Sequence, residues 1–178
     1  VDDVSTDNSV SVITNAYKNE PRLKCIINGE NKGVSFSRNI GVINSKGDFI
    51  STLDSDDTYS PEKIEREMNV VLSMLPRKII AFSSYAITDV DLNVRSVPIC
   101  KTHIYQGDIY KRILYRSIPF ARDILMSKEI FFEIGGFDEH KKLYEDWDFK
   151  LKLAKKYHFI YSGCIGVNYR QLGTGLSS

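Results

Sequence analysis

The stretch Gly47–Asp57, GDFISTLDSDD, joins a short apolar run to three carboxylates, and that junction restricts the fold more than any other feature of the chain. Phe49, Ile50 and Leu53, with the β-branched Thr52, favour a strand, and the run is too short for a stable helix. It ends directly in Asp54, Asp56 and Asp57. Carboxylates this close repel one another, and at least one is pushed toward protonation unless a cation sits among them. Hard oxygen ligands at the carboxyl end of a strand suit Mg²⁺ or Mn²⁺, especially where substrate phosphates complete the shell. A solvated acidic turn before a helix uses the same residues, so the stretch alone leaves both readings open. An EF-hand is excluded. Asp54, Asp56 and Glu65 fall at its first, third and twelfth positions, but Tyr59 stands where glycine is needed and a strand precedes the loop.

The rest of the chain alternates strands and helices around this point. Val1 reads as the end of a strand, with Asp2 and Asp3 at the edge where open α/β sheets bind ligands. Asp3 suits a nucleobase N–H, and the pair equally suits a plain turn. Ser5, Thr6 and Asp7 offer caps for a helix through Val10, Ile13 and Tyr17. Leu23–Ile27 reads as the next strand. A helix over Val34–Asn44 carries Phe36, Ile40 and Ile43 on one face, with Lys32 before it and Arg38 and Asn39 on it. Lys32 and Arg38 suit a diphosphate, with surface solvation as the alternative. This order of elements predicts a parallel sheet with right-handed crossovers.

Beyond the acidic loop, Ser60 and Pro61 open a helix to about Met74, with Ile64, Met68, Val71 and Leu72 predicted inward. Ile79–Ser84 is a further buried strand, and residues 85–98 read as a hairpin around Asp91 and Asn93. Gly107–Tyr115 is a short helix, and residues 118–126 read only as an extended segment. Ser127 caps a helix that stops at Gly135-Gly136. Trp147, Leu151 and Ala154, with Phe149 and Leu153, stripe another helix whose first turn holds Glu145 and Asp146. An anion there is favoured by the helix dipole, so Asp146 is expected to be ionised and serves either as a general base or as ordinary charge complementation. His158–Asn168 returns as a strand.

The totals narrow the classes. A chain of 178 residues makes one domain with room for a core without disulfides. A net charge of +1 supplies no global field for nucleic acid or an anionic membrane. Cys25, Cys100 and Cys164 lack any C-x-x-C spacing and read as reduced, buried thiols rather than a zinc site. No apolar run approaches the roughly 18 residues that span a bilayer. The first residue is Val1, and the expectation is that a strand begins before it.

Four stretches, VDDVSTDNS, NKGVSFSRNIGVINSKGDFISTLDSDD, GGFDE and YEDWDFKLKLA, occur in the order seen in family 2 glycosyltransferases of the GT-A fold, and the chain resembles that family over nearly its whole length. The resemblance implies an α/β, Rossmann-like fold, a mostly parallel sheet flanked by helices with a small antiparallel acceptor-side portion. It implies a single domain, with residues 1–84 as the nucleotide-sugar half and 85–178 as the acceptor half. It implies an inverting hexosyltransferase, using Mg²⁺ or Mn²⁺ and a nucleotide diphosphate sugar donor. The acceptor is then a saccharide or lipid-linked hydroxyl, in polysaccharide or glycoconjugate synthesis. The implied setting is the cytoplasm or the inner face of the membrane, with no nucleic acid partner.

Carried over by motif, Asp3 meets the base, Asp54 and Asp56 are the acids of the DXD motif, and Asp56 and Asp57 do most of the ribose and metal work. Asp146 matches the catalytic base, with Glu145 beside it. Lys32, Arg38 and Arg170 complete the expected donor contacts, Arg38 near the diphosphate. Val4 stands where the family has glycine, Leu172 where many relatives have histidine, and the family's first strand and its loop are expected before residue 1. A sugar-phosphate nucleotidyltransferase and a non-catalytic nucleotide-sugar-binding module are the alternatives. Simple binding has no use for the Glu145–Asp146 pair.

Overall fold

A computed structural model describes residues 1–98, 107–117 and 123–171. The elements run α1 (Ser9–Ala16), α2 (Val34–Asn44), β1 (Phe49–Ser51), β2 (Thr58–Tyr59), α3 (Lys63–Ser73), β3 (Ile79–Thr88), β4 (Val94–Ser96), α4 (Tyr110–Leu114), β5 (Ile124–Ser127), α5 (Lys128–Ile134), α6 (Glu145–Ala154) and β6 (His158–Arg170). The sheet is ordered β1-β5-β3-β6-β2, with β4 on β3. Its centre is β3, whose first six residues are all buried. Alternation along the strands sorts the core into two layers. Ile80 and Phe82 of β3, with Ile124 and Met126 of β5, face Ile113 of α4, Ile130 and Phe131 of α5, and Phe149 and Leu153 of α6. Ile79, Ala81 and Leu125 face the other way, against Val71 of α3.

The α/β class stands, but the sheet is mixed, not mostly parallel. β3 and β6 run parallel, whereas β1–β5, β3–β5, β2–β6 and β3–β4 are antiparallel. Periodicity reports which face of a strand is buried and says nothing of its direction. Here β1, β2 and β3 do not pair with one another, so the crossover rule for successive strands has nothing to act on. The expected strand at Leu23–Ile27 reduces to one parallel bridge, Asp2 to Ile27, with Leu23 and Ile27 exposed. Two backbone bonds hold it, Asp2 N to Ile26 O at 2.7 Å and Asn28 N to Asp2 O at 2.9 Å.

Several local expectations hold. The hairpin forms between β3 and β4, with Asp89 Oδ1 accepting from the backbone of Asp91 and Asn93. Ser127 Oγ accepts from Ile130 N at 3.3 Å as the cap of α5, and Gly135 ends that helix at φ 86°. Of the extended segment expected over residues 118–126, β5 accounts for the part from Ile124, and residues 118–122 lie outside the described residues. Leu172 and Cys100 lie outside the described residues. Cys25 and Cys164 are free, Cys164 buried and Cys25 only half-buried.

The inward faces of α2 and α3 differ from expectation. In α2 the buried residues are Ser35 and Val42, and Ile43 is exposed. In α3 Ile64 and Leu72 face solvent, while Lys63, Glu67 and Val71 are buried, one side chain per turn. Lys63 Nζ donates to Glu67 Oε2 at 2.6 Å with both side chains fully enclosed, so a charged pair occupies the place that apolar periodicity assigns to hydrophobes. Gly166 of β6 makes room for it. A Cβ at that position would lie 2.2 Å from Ser83 Oγ and 2.8 Å from Lys63 Cγ. Among the described residues, no helix is long and apolar enough to cross a membrane.

Candidate active site

The acidic loop leaves β1 and turns back at once. Asp57 N donates to Asp54 O at 3.1 Å, and Asp57 Oδ1 accepts from Arg170 N at 2.9 Å, tying the loop to the end of β6. The turn gathers Asp54, Asp56 and Asp57 so that one carboxylate oxygen from each lies within 4.8 Å of the others. Such an all-oxygen donor set fits a hard divalent cation and leaves coordination positions for phosphate oxygens. Tyr59 steadies the loop from below. Its hydroxyl donates to Thr52 O and shares a hydrogen bond with Ser51 Oγ at 2.8 Å, and Lys63 Nζ lies 4.5 Å from its ring centre. Burial, with nearby Asp123, raises the Tyr59 pKa, so the phenol keeps its proton as a donor.

Arg38 joins this loop to α6. Nη2 lies 2.5 Å from Asp54 Oδ1 and Nη1 lies 2.8 Å from Glu145 Oε1. Burial opposes the Arg38 charge, but Asp54 and Glu145 outweigh it and the guanidinium pKa is raised. The guanidinium also sits 5.3 Å above the Phe137 ring, which stacks on Phe149 of α6 at 4.3 Å. Asn39, next on α2, fixes that floor. Its Oδ1 accepts from Phe137 N at 2.9 Å, while its Nδ2 donates to Phe137 O at 2.9 Å and to Glu139 Oε1 at 2.8 Å. Gly136 permits the approach, since a Cβ there would lie 2.8 Å from Asn39 Oδ1 at a φ of 70°.

Asp146 and Arg38 line one recess, together with Thr52, Asp123, Lys150 and an apolar floor that includes Phe137 and Phe149. Lys150, one turn along α6 and buried, reaches Asp146 Oδ2 at 3.2 Å. Asp123 is 2% exposed, and its Oδ2 has no hydrogen-bond partner among the described residues. Burial, reinforced by Asp54, pushes its carboxyl up to about 7.

The sequence reading missed Asp123 and Lys150. For Lys150 the i,i+4 spacing from Asp146 was the available signal. Asp123 had none, because its burial is set by β5 passing between β1 and β3.

The first motif forms a separate unit. Asp3 Oδ1 accepts from Asn28 Nδ2 at 2.7 Å and Lys32 N at 2.9 Å, and Oδ2 from Gly33 N at 2.7 Å. Burial raises the Asp3 pKa, but the bonds from Lys32, Asn28 and Gly33 prevail and the net shift is downward. A carboxylate so engaged still has lone pairs for another donor. Val4 adopts φ 66°, the left-handed conformation that glycine takes freely and a β-branched residue resists. Lys32 Nζ pairs with Glu30 at 3.1 Å, not with the acidic loop. Arg170 meets Asp57 through its backbone, and its Nε is buried without a partner among the described residues. The structure therefore brings Arg38, Asp54 and Glu145 into contact and sets Asp56, Asp57 and Asp146 around them.

Known proteins resemble this chain in sequence and fold. The family model for glycosyl transferase family 2 matches residues 1–137. An uncharacterized glycosyltransferase of Haemophilus influenzae is 34% identical over 93 residues, covering 52% of this chain and 36% of that protein. Another from the same organism is 32% identical over 135 residues, covering 75% of this chain and 45% of that protein. The crystal structure of S. aureus TarS 1-349 superposes with a TM-score of 0.73 at 21% identity, over 95% of this chain and 49% of that one. Its complex with UDP gives 0.69 at 20% identity, over 96% and 49%. The chain thus spans half or less of the length of these proteins, and at such identity TarS speaks for the GT-A fold alone. With most of its residues matched by the family model, the chain belongs to the family 2 glycosyltransferases.

Proposed function

We propose that the chain carries the reaction centre of an inverting, metal-dependent hexosyltransferase. It moves a sugar from a nucleotide diphosphate donor to a hydroxyl of a saccharide or lipid-linked acceptor, in polysaccharide or glycoconjugate synthesis. The observation that carries the reading is the Arg38 bridge, which joins Asp54 to Glu145 beside a recess that Arg38 and Asp146 line. Residues 1–84 serve the donor and 85–178 the acceptor side. A nucleotide diphosphate donor puts the reaction in the cytoplasm or at the inner face of the membrane.

Displacement at an anomeric carbon needs a better leaving group, a stronger nucleophile and the two held in line. Asp56 and Asp57, with Asp54, are the residues to hold Mg²⁺ or Mn²⁺, which supplies neutralisation of charge on the departing diphosphate. Asp3 accepts a hydrogen bond from the base, and its bonds to Lys32 and Gly33 hold it in place for that. Arg38, Lys32 and Arg170 supply positive charge on the donor side. Asp146 takes the acceptor proton from the face opposite the leaving group, so configuration inverts, and Glu145 orients through Arg38.

The test is calorimetry of UDP, GDP, CDP and dTDP with Mn²⁺ or with EDTA. One of them is expected to bind, and Asp57→Asn to weaken it chiefly when the metal is present. Equal weakening in EDTA counts against metal binding. With donor and acceptor supplied, the products are free nucleoside diphosphate and the inverted anomer; release of pyrophosphate instead points to nucleotidyl transfer.

A further inference from the structure

Resting on the reading above, we propose that Asp123 is a specificity residue that accepts a hydrogen bond from one hydroxyl of the transferred sugar. Three observations converge on it. First, Asp123 is almost fully enclosed, yet its Oδ2 lacks a hydrogen-bond partner among the described residues. A buried acceptor left unsatisfied is costly, and such a group in a folded protein calls for an explanation. Second, among the described residues no ammonium or guanidinium group bonds Asp123 Oδ2. Lys63 donates to Glu67 and Lys150 to Asp146, so the ammonium groups that act on Asp123 electrostatically are engaged elsewhere. Third, Asp123 lines the recess shared by Arg38, Thr52, Asp146 and Lys150.

Location assigns the ligand. In an in-line transfer the sugar lies between the metal-bound diphosphate and the base. The recess is lined by Arg38, which holds Asp54 of the acidic loop, and by Asp146. It has room for roughly one water-sized group, too little for a sugar ring and enough for a hydroxyl. The floor of Ile124, Met126, Phe137 and Phe149 offers no competing acceptor. An entering hydroxyl donates to Asp123 Oδ2, while the rest of the ring stays outside. The charges that act on Asp123 include those of Asp54 and Asp57 from the acidic loop, as well as Lys63 and Lys150. A site built to hydrogen-bond a hydroxyl rejects analogues that lack it more strongly than an apolar pocket rejects a change of size.

The test separates this inference from the function itself. Binding to the full chain is measured with Mn²⁺ for UDP, GDP, CDP and dTDP and for their hexose derivatives, in wild type, Asp123→Asn and Asp123→Leu. The expected result is that the accepted nucleoside diphosphate binds all three within about twofold, while its preferred sugar derivative binds the variants roughly 10- to 100-fold more weakly, the range for a hydrogen bond to a charged group. Wild-type protein gives a second measurement that no folding defect can confound. Among monodeoxy forms of that donor, one is expected to lose the same factor.

If no nucleoside diphosphate binds wild type, the functional reading falls and the inference falls with it. If one binds but the sugar adds no affinity that depends on Asp123 or on a single hydroxyl, the inference alone is overturned. Weakened binding of the bare diphosphate in the variants assigns Asp123 to support of the acidic loop and overturns it. So does a rise confined to the acceptor KM.

Discussion

Arg38 and Glu145 are 107 positions apart in the chain, yet Nη1 of the one lies 2.8 Å from Oε1 of the other. The same guanidinium holds Asp54 with its second nitrogen. Two motifs that look independent in sequence are thus a single mechanical unit, and the spacing between the acidic loop and the start of α6 depends on a side chain that belongs to neither.

Arg38→Lys tests that unit. Lysine keeps the charge but presents one point where arginine presents a fork, so it holds Asp54 or Glu145 and not both. The expected outcome is a loss of about 1–3 kcal/mol in urea unfolding, because a largely buried carboxylate is left unpaired. Turnover falls at least 10-fold. Unchanged midpoints and unchanged turnover would show that the bridge has no mechanical role.

Asp146→Asn keeps the shape of the side chain and removes its basicity. Turnover is expected to fall roughly 10²-fold or more with donor affinity nearly intact, as for a general base. Retained kcat would make Asp146 only a charge at the start of α6.

Lys63 and Glu67 are fully enclosed and joined at 2.6 Å. Removing one partner strands the other, so Lys63→Met and Glu67→Leu are each expected to cost about 3–5 kcal/mol. The double variant Lys63→Met/Glu67→Leu is expected to recover most of that, since an apolar pair of similar volume has no charge to desolvate. Additive losses in a double-mutant cycle would refute the pairing as the source of the cost.

Gly136→Ala forces a side chain onto Asn39 and the ring of Phe131 at a backbone angle that L residues resist. A cost of about 1–3 kcal/mol follows, with a fall in turnover because Phe137 shifts beneath Arg38. A variant as stable and active as wild type would show that the GGFDE turn does not hold that floor.

Asp123 has a pH signature in metal-free protein. Its carboxyl is held near 7 in the fold against an ordinary value of 3.8, so the folded state binds the extra proton. Stability is then lost as pH rises between those two values. In EDTA, the urea midpoint of Asp123→Asn relative to wild type is expected to rise from pH 5 to pH 8. A difference that is flat across that interval would contradict a raised pKa.

Much of this protein is local, and the sequence by itself determined that part. The cap at Ser127, the stop at Gly135, the hairpin after β3, the helix that begins at Glu145 and the gathered acids of the loop each depend on neighbours within a few residues. Capping, left-handed glycine, alternation and charge crowding act at that range. The family motifs were legible for the same reason, being contiguous runs.

Tertiary structure decided what had no local cause. Strand direction depends on which edges meet, and β5 enters antiparallel between β1 and β3 from far along the chain. The inward face of α3 went to Lys63 and Glu67 because each neutralises the other once both are enclosed, a compensation that hydrophobic periodicity does not register. Asp123 came to line the recess only through the placing of β5 between β1 and β3. Arg38 acquired two partners 16 and 107 positions away, since a guanidinium satisfies whichever carboxylates the fold brings within its reach.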